Sequence, residues 1–374
     1  MAEPSARLFR PAIDELTPYQ PGRPVEDVQR ELGLDRIVKL ASNEGPYPPF
    51  PAALEAIAGA AAELNRYPDG GAYRLRTALA ERHAVRFEEM AVGAGADGVV
   101  DCLSQAVLEP GDSIVCGWPS FPSYAIDALK LGAEARRVPL RDHRYDLPAL
   151  LEAVDERTKI VYLCHPNNPT GTSNGRAELD DYFERVPDHV LSVLDQAYFE
   201  YVDDPDYPDG IAEYFKAGRR VLVLRTFSKL YGLAGLRVGY GIGPPAVVEA
   251  IAKVRRAFDV SSVAQAAALA SLDDPAEVER RRHLNTTARA ELEQTLRDHG
   301  FEPAGPAVAN FLYVDTGADA RVLFDELLRL GVIVRPLAGF GAPTAIRVTV
   351  GTPAENAFFA AALARLRDRV PAAG

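Results

Sequence analysis

The chain of 374 residues is poor in sulfur and in tryptophan, with 3 Cys, 2 Met and 1 Trp. Cys102, Cys116 and Cys164 are too few for a disulfide scaffold, and no CxxC pair or Cys/His spacing marks a metal site, so no metal is expected. No run of 18 apolar residues occurs, which removes the sequence signal of a membrane-spanning helix. The opening MAEPSARLFRPAIDEL lacks an apolar secretory core, so the expected compartment is the reducing cytoplasm. Positive charge is short as well: 41 Lys+Arg face 53 Asp+Glu, the net charge is −12, and no basic tract stands out. Such a balance disfavours a polyanionic partner such as nucleic acid. Low-complexity tracts and repeats of about 20–50 residues are absent too, which excludes solenoids and propellers.

What is present is an alternation of short apolar runs and helical patterns. Strands are expected at Ser113–Trp118, Arg136–Leu140, Lys159–His165, Val190–Asp195, Arg220–Thr226 and Leu236–Ile242. Runs such as IVYLC and VLVL are apolar on both faces, which suits a sheet covered by helices on both sides. The fold class expected is therefore α/β, with a mainly parallel mixed sheet in a large domain at 45–243. Beyond Pro244–Pro245 the texture changes to a long helix at Pro275–His299, then strands at Asn310–Asp315, Val332–Arg335 and Ile346–Val350. These predict a smaller α+β domain at 244–374, which an N-terminal arm at 1–44 joins.

GAGADG at 93–98 fits a glycine pattern that lets backbone N–H groups approach phosphate at a helix start. A dinucleotide reading is weakened by the poor preceding strand and by the lack of an acidic residue about 20 positions on. A plain turn stays open. More specific signals follow three strands: HPNNPTG (165–171), LDQAY (194–198) and RTFSKLYGLAGLRVGY (225–240). In an open parallel sheet, residues just past strand ends gather in one crevice, here Asn168, Asp195, Tyr198 and Lys229. A lysine amine can form a Schiff base and then act as a base, and a buried aspartate can hold a pyridine nitrogen protonated. Arg237, Thr226 and Ser228 supply phosphate donors beside residues 95–97, and Phe121 in WPSFPSY offers a ring face. Taken singly, each of these residues has a plainer structural explanation. Their order along the chain carries the argument.

The succession GAGAD, PSFPSY, NNPTG, DQAY, SKLYGLAGLRVG and IRVTVG resembles the class I/II aminotransferases of pyridoxal-phosphate fold type I, over nearly the whole chain. The resemblance implies Lys229 as the Schiff-base lysine, Asp195 on the pyridine nitrogen, Tyr198 and Asn168 on the ring hydroxyl, and Phe121 stacked on the ring. It implies a phosphate cup of Gly95, Ala96, Asp97, Thr226, Ser228 and Arg237. It also implies a homodimer in which Tyr67 reaches the neighbouring site. LTPYQPGRPVEDVQRELGL (16–34), KLASNEGPYPP (39–49), AFDVSSVAQAAA (257–268) and GVIVRPL (331–337) resemble the histidinol-phosphate aminotransferases. That resemblance implies substrate contacts from Tyr19, Asn43, Arg335 and Arg347. It also implies transamination between histidinol phosphate and 2-oxoglutarate in histidine biosynthesis. An aromatic amino acid aminotransferase and a phospho-amino-acid decarboxylase share these motifs and stay open as alternatives. Two departures from the family pattern are Gly45, in SNEGP, and Gln196, where an acidic residue is usual.

Overall fold

The structure, a computed structural model, describes residues 10–16 and 24–366. After helix α1 (Val25–Leu32) and the short strand β1 (Val38–Lys39), helices α2 (Pro51–Ala61) and α3 (Tyr73–His83) lead into the main sheet. That sheet is built from β2 (Met90–Gly93), β3 (Ser113–Trp118), β4 (Glu134–Pro139), β5 (Thr158–Cys164), β6 (Leu191–Asp195), β7 (Val221–Thr226) and β8 (Gly239–Ile242). Helices α4 (Gly95–Val107), α5 (Ser123–Lys130), α6 (Leu147–Glu152) and α7 (Arg176–Arg185) lie between these strands. The strand order is β2-β8-β7-β6-β5-β3-β4, with β8 antiparallel to both neighbours and the remaining pairs parallel. Aliphatic side chains of β5, β6 and β7 are buried on both faces, as their unbroken apolar runs require.

The strand expected at Leu236–Ile242 begins only at Gly239. Ala234–Leu236 forms a single 3₁₀ turn and Arg237 adopts a left-handed conformation, φ 54°. Helices α8 (Pro245–Val254) and α9 (Ser262–Ser271), which the sequence places in the second domain, bury Val248, Ile251, Ala264, Ala267 and Ala268 in the main core. That core therefore continues past Gly243. The reason is compositional: both helices carry small or β-branched apolar faces that pack against neighbouring helices such as α2 and α4.

The long helix α10 (Pro275–Asp298) follows, then β9 (Phe311–Asp315), α11 (Ala320–Arg329), β10 (Val332–Ile333), β11 (Arg335–Leu337), β12 (Ala342–Thr349) and α12 (Pro353–Leu366). The strand expected at Val332–Arg335 is split. Its first half pairs in parallel with β1, whereas β11 pairs with β12 in an antiparallel sheet of order β11-β12-β9. Residues of the N-terminal arm are held here: Val28 and Ala41 share a buried cluster with Leu328 and Ile333, and Leu40 N donates to Ile333 O at 2.7 Å. Among the described residues, no helix is long and apolar enough to cross a membrane.

Candidate active site

The parallel strands end on one side of the sheet, and the chemistry-bearing residues follow those ends. Asp195 closes β6, Thr226 closes β7, Lys229 lies three residues further, Asn168 follows β5 and Phe121 follows β3. Asp195 is buried, and its two oxygens are held by Tyr124 Oη donating at 2.6 Å and Ala197 N donating at 3.1 Å. Burial raises its pKa, opposed by the Tyr124 hydroxyl and the Ala197 amide. A carboxylate so placed stabilises a proton on a basic nitrogen facing it.

Lys229 is half-buried, and its Nζ lies 5.4 Å from the centre of the Tyr198 ring. Burial pushes its pKa down to about 8, helped by the Arg347 and Arg237 guanidiniums and opposed by Glu44 and Asp195. An amine in that range is neutral for a useful fraction of the time near neutrality, as a nucleophile and base must be. Gly45, the first departure, lies directly over this lysine's backbone. A Cβ there would fall 2.7 Å from Lys229 O and 3.3 Å from Tyr201 Oη, so only glycine lets residues 43–46 pack this close.

Helix α4 begins at Gly95, φ 77°, with Ala96 buried and Asp97 exposed in its first turn. A Cβ on Gly95 would lie 2.8 Å from Arg237 Nη2, and one on Gly239 would lie 2.4 Å from Ala96 N. Arg237 Nη1 donates to Ser228 Oγ at 3.2 Å, and Thr226 Oγ1 bonds the same hydroxyl at 3.1 Å. A helix N-terminus, two hydroxyls and a guanidinium thus converge on a notch that side chains would fill. That is the donor set for a phosphate. The preceding strand β2 lies antiparallel at the sheet edge, unlike the parallel βαβ unit that a dinucleotide requires.

The second set of predicted residues comes from the small sheet. Arg335 and Arg347 are direct partners across β11 and β12. Arg347 is buried, donates to the Asn168 side-chain oxygen, and reaches Ala41 O at 2.8 Å. Asn43 Nδ2 donates to Tyr198 Oη at 3.0 Å, while Thr349 Oγ1 bonds both its amide N and its Oδ1. Asn43 therefore ties the N-terminal arm to both the small sheet and the strand-end cluster. Tyr67 stands apart on the surface, 82% exposed and stacked on Phe258 at 4.5 Å. Tyr19 lies outside the described residues.

Sequence reasoning missed two supporting groups. Tyr124 ends the PSFPSY motif. Its place one helical turn after Phe121 was the available signal, but nothing in the spacing aims its hydroxyl at Asp195. Gln196, the second departure, proves to be a fully bonded hub. Its Nε2 donates to Tyr207 Oη at 3.1 Å and Pro208 O at 2.9 Å, and its Oε1 accepts from Arg225 Nη2 at 2.9 Å and Gly210 N at 3.1 Å. A carboxylate there would face the Pro208 carbonyl without a donor, so the amide is the residue that satisfies this pocket.

The chain matches the model of aminotransferase class I and II over residues 35–363. It is 46% identical, over 97% of its length and 98% of the relative's, to histidinol-phosphate aminotransferase 2 of Pseudomonas fluorescens. It is 44% identical to the histidinol-phosphate aminotransferase of Moorella thermoacetica, over 95% of this chain and 92% of that one. Among solved structures, the histidinol-phosphate aminotransferase of Sinorhizobium meliloti in complex with pyridoxal-5′-phosphate superposes with a TM-score of 0.89. It is 30% identical, and the match covers 98% of this chain and 99% of that one. With the strand-end lysine and aspartate, the glycine notch and the mixed sheet all in place, the chain belongs to the class I and II aminotransferases, within their histidinol-phosphate aminotransferase branch.

Proposed function

We propose that this site binds pyridoxal 5′-phosphate and transfers an amino group between histidinol phosphate and 2-oxoglutarate, yielding imidazole-acetol phosphate and glutamate. The start of α4 at Gly95, Ala96 and Asp97, with Thr226, Ser228 and Arg237 beside it, supplies the amides, hydroxyls and guanidinium that suit the cofactor phosphate, and a Cβ at Gly95 would crowd the Arg237 guanidinium. Asp195 at the end of β6 suits its ring nitrogen, Phe121 its ring face, and Tyr198 and Asn168 its ring hydroxyl. When bound, the cofactor supplies an electrophilic carbon and an electron sink for charge developing at the substrate carbon. Lys229 Nζ would hold it covalently at rest. Once freed by the incoming amine, it would take up the proton lost from the substrate carbon, as an amine with a pKa of about 8 can. Asp195 holds the ring nitrogen protonated throughout, and Asn43 steadies the Tyr198 hydroxyl.

The observation that carries the substrate assignment is the direct pairing of Arg335 with Arg347 across two antiparallel strands. Direct partners on antiparallel strands project from the same face, so the two guanidiniums stand together there. Two guanidiniums suit a phosphate dianion, with Tyr19 and Asn43 completing the substrate contacts. The test is to mix cofactor-loaded enzyme with histidinol phosphate, phenylalanine, tyrosine or glutamate, and to follow each half-reaction to pyridoxamine phosphate. Histidinol phosphate and glutamate should react fastest. Preference for phenylalanine would move the assignment to an aromatic amino acid aminotransferase, and release of carbon dioxide to a decarboxylase.

We infer further that the enzyme works as a homodimer in which Tyr67 reaches the partner's cofactor phosphate. Supporting this, Leu54 of the apolar helix α2 is 47% exposed, and Leu64, Tyr67 and Phe258 are exposed as well. We infer a division into an N-terminal arm at 1–44, a large domain at 45–243 and a small domain at 244–374, whose helices α8 and α9 pack on the large core. Three free, buried cysteines fit a cytoplasmic setting.

A further inference from the structure

The chain's one tryptophan has no role in the site described above, yet it touches the turn that joins the strands of Arg335 and Arg347. Trp118 ends β3, three residues before Phe121. Between β11, which carries Arg335, and β12, which carries Arg347, runs the 3₁₀ turn Ala338–Phe340 closed by Gly341. Gly341 has φ 87°, and a Cβ there would lie 1.9 Å from Trp118 Nε1, 2.7 Å from Cε2 and 2.9 Å from Cδ1. The indole edge therefore occupies the space of any side chain at 341. Glycine is required twice over, once by backbone conformation and once by this contact. On its other side the indole is braced by Arg137 of β4, whose guanidinium carbon lies 4.4 Å from the ring centre.

The turn bears directly on the arginines. Phe340 is buried among Ala304, Tyr313, Leu337, Ala342 and Ala345. Its ring centre lies 5.8 Å from the Arg335 guanidinium carbon and 5.4 Å from that of Arg347, both within cation–π range. Trp118 thus seats Gly341, Gly341 fixes the position of Phe340, and Phe340 backs both guanidiniums. The contact joins the end of β3 in the main sheet to the turn between β11 and β12 in the small sheet.

We propose that Trp118 is a positioning residue for substrate affinity: its indole edge fixes the turn that aims Arg335 and Arg347 at the substrate's anionic group. This rests on the reading that those two arginines take that group. Trp118→Ala leaves the cofactor residues in place and lets the turn drift. A displacement of about 1 Å is enough to cost tenfold or more, so KM for histidinol phosphate should rise about tenfold while kcat falls less. Gly341→Ala attacks the same contact from the other side and keeps the proposal testable should Trp118→Ala fold poorly. The strain of a positive φ is common to both backgrounds. In the double variant the clash is gone, so adding Gly341→Ala to Trp118→Ala should raise KM far less than adding it to the parent chain.

A readout independent of turnover is available, because all tryptophan fluorescence comes from Trp118. Acrylamide quenching of the holoenzyme should increase in Gly341→Ala and be suppressed in the parent by saturating histidinol phosphate. Unchanged KM in both single variants, additive KM effects in the double variant, or quenching unaffected by Gly341→Ala would overturn the proposal. Arg335→Ala serves as the control for the underlying reading. If it leaves KM for histidinol phosphate unchanged, the substrate assignment fails. If it raises KM and the Trp118 and Gly341 variants do not, only the positioning role fails.

Discussion

The cofactor side and the substrate side of this site reach a similar density of charged groups by different routes. On the main sheet, Asp195, Thr226, Lys229 and Asn168 each follow the end of a parallel strand, and the sheet itself gathers them. Every one of these strands ends on the same rim, so strand direction alone brings the four residues to one edge. On the small sheet, Arg335 and Arg347 meet because two antiparallel strands are in one particular register, with an irregularity immediately after at Pro336/Leu337. A shift of one residue there would turn one guanidinium to the opposite face. The first arrangement follows from strand direction. The second is exacting, and it is supported by contacts from outside its own sheet.

The comparison can be broken most severely at Lys229. Lys229→Ala should lower kcat by about 10³-fold or more and abolish the visible absorbance of lysine-bound cofactor, with histidinol phosphate KM of secondary importance. Retained turnover would show that the strand-end cluster is not where the chemistry occurs.

The next test asks whether the two regions are electrostatically separate. They are not expected to be, since Arg347 of the small sheet helps hold the Lys229 pKa down to about 8. Arg347→Ala should raise KM for histidinol phosphate about tenfold or more, because it removes one member of a buried, hydrogen-bonded set. It should also raise the Lys229 pKa, because losing a nearby cation favours the protonated amine. Arg347→Lys should keep that pKa close to the parent value while still raising KM, since it retains the charge and loses the planar fork. The pH dependence of lysine labelling in cofactor-free enzyme reads the pKa directly. The linked effect on stability has a definite sign. The folded pKa lies below the unfolded value of 10.5, so the cofactor-free fold binds fewer protons between about 8 and 10.5. Its stability should therefore rise with pH across that window.

The smallest effect is expected within the main sheet. Tyr124→Phe removes the 2.6 Å hydroxyl donor from Asp195, a contact that opposes the burial-driven rise of its pKa. The Asp195 pKa should rise further and kcat should fall about threefold to tenfold, the worth of one ordinary hydrogen bond. Because Asp195 keeps Ala197 N as a donor, cofactor binding should persist. A loss as deep as that of Lys229→Ala would mean that the strand end alone does not place the aspartate.

Most strands were legible to within a residue or two, because unbroken apolar runs such as those of β5 and β7 admit few other structures. Ser113–Trp118 and the long helix at Pro275–Asp298 show how far patterning reaches. It failed where the backbone makes a local exception. Arg237 leaves the extended region for a left-handed turn, and Val334 separates two strands belonging to different sheets. Of the candidate site, the order of motifs placed Asp195 and Lys229 at or just past strand ends, with Thr226, Ser228 and Arg237 close together. It did not disclose that Asn168 bonds Arg347, that Asn43 bonds Tyr198, or that Gln196 answers four partners.

The division follows from the range of the forces involved. Local sequence sets hydrophobic period, strand ends and turn chemistry, and in a parallel sheet those alone specify which residues share the rim. It therefore determined the fold class, the family and which residues gather at the strand ends. Contacts between residues far apart in sequence depend on register, side-chain direction and the space left by neighbours. Tyr124 on Asp195, Gly45 over the Lys229 carbonyl, Arg335 opposite Arg347 and Trp118 against Gly341 are all of that kind. Only the packed structure decided them, because each exists through the shape of surfaces that meet after the chain has folded.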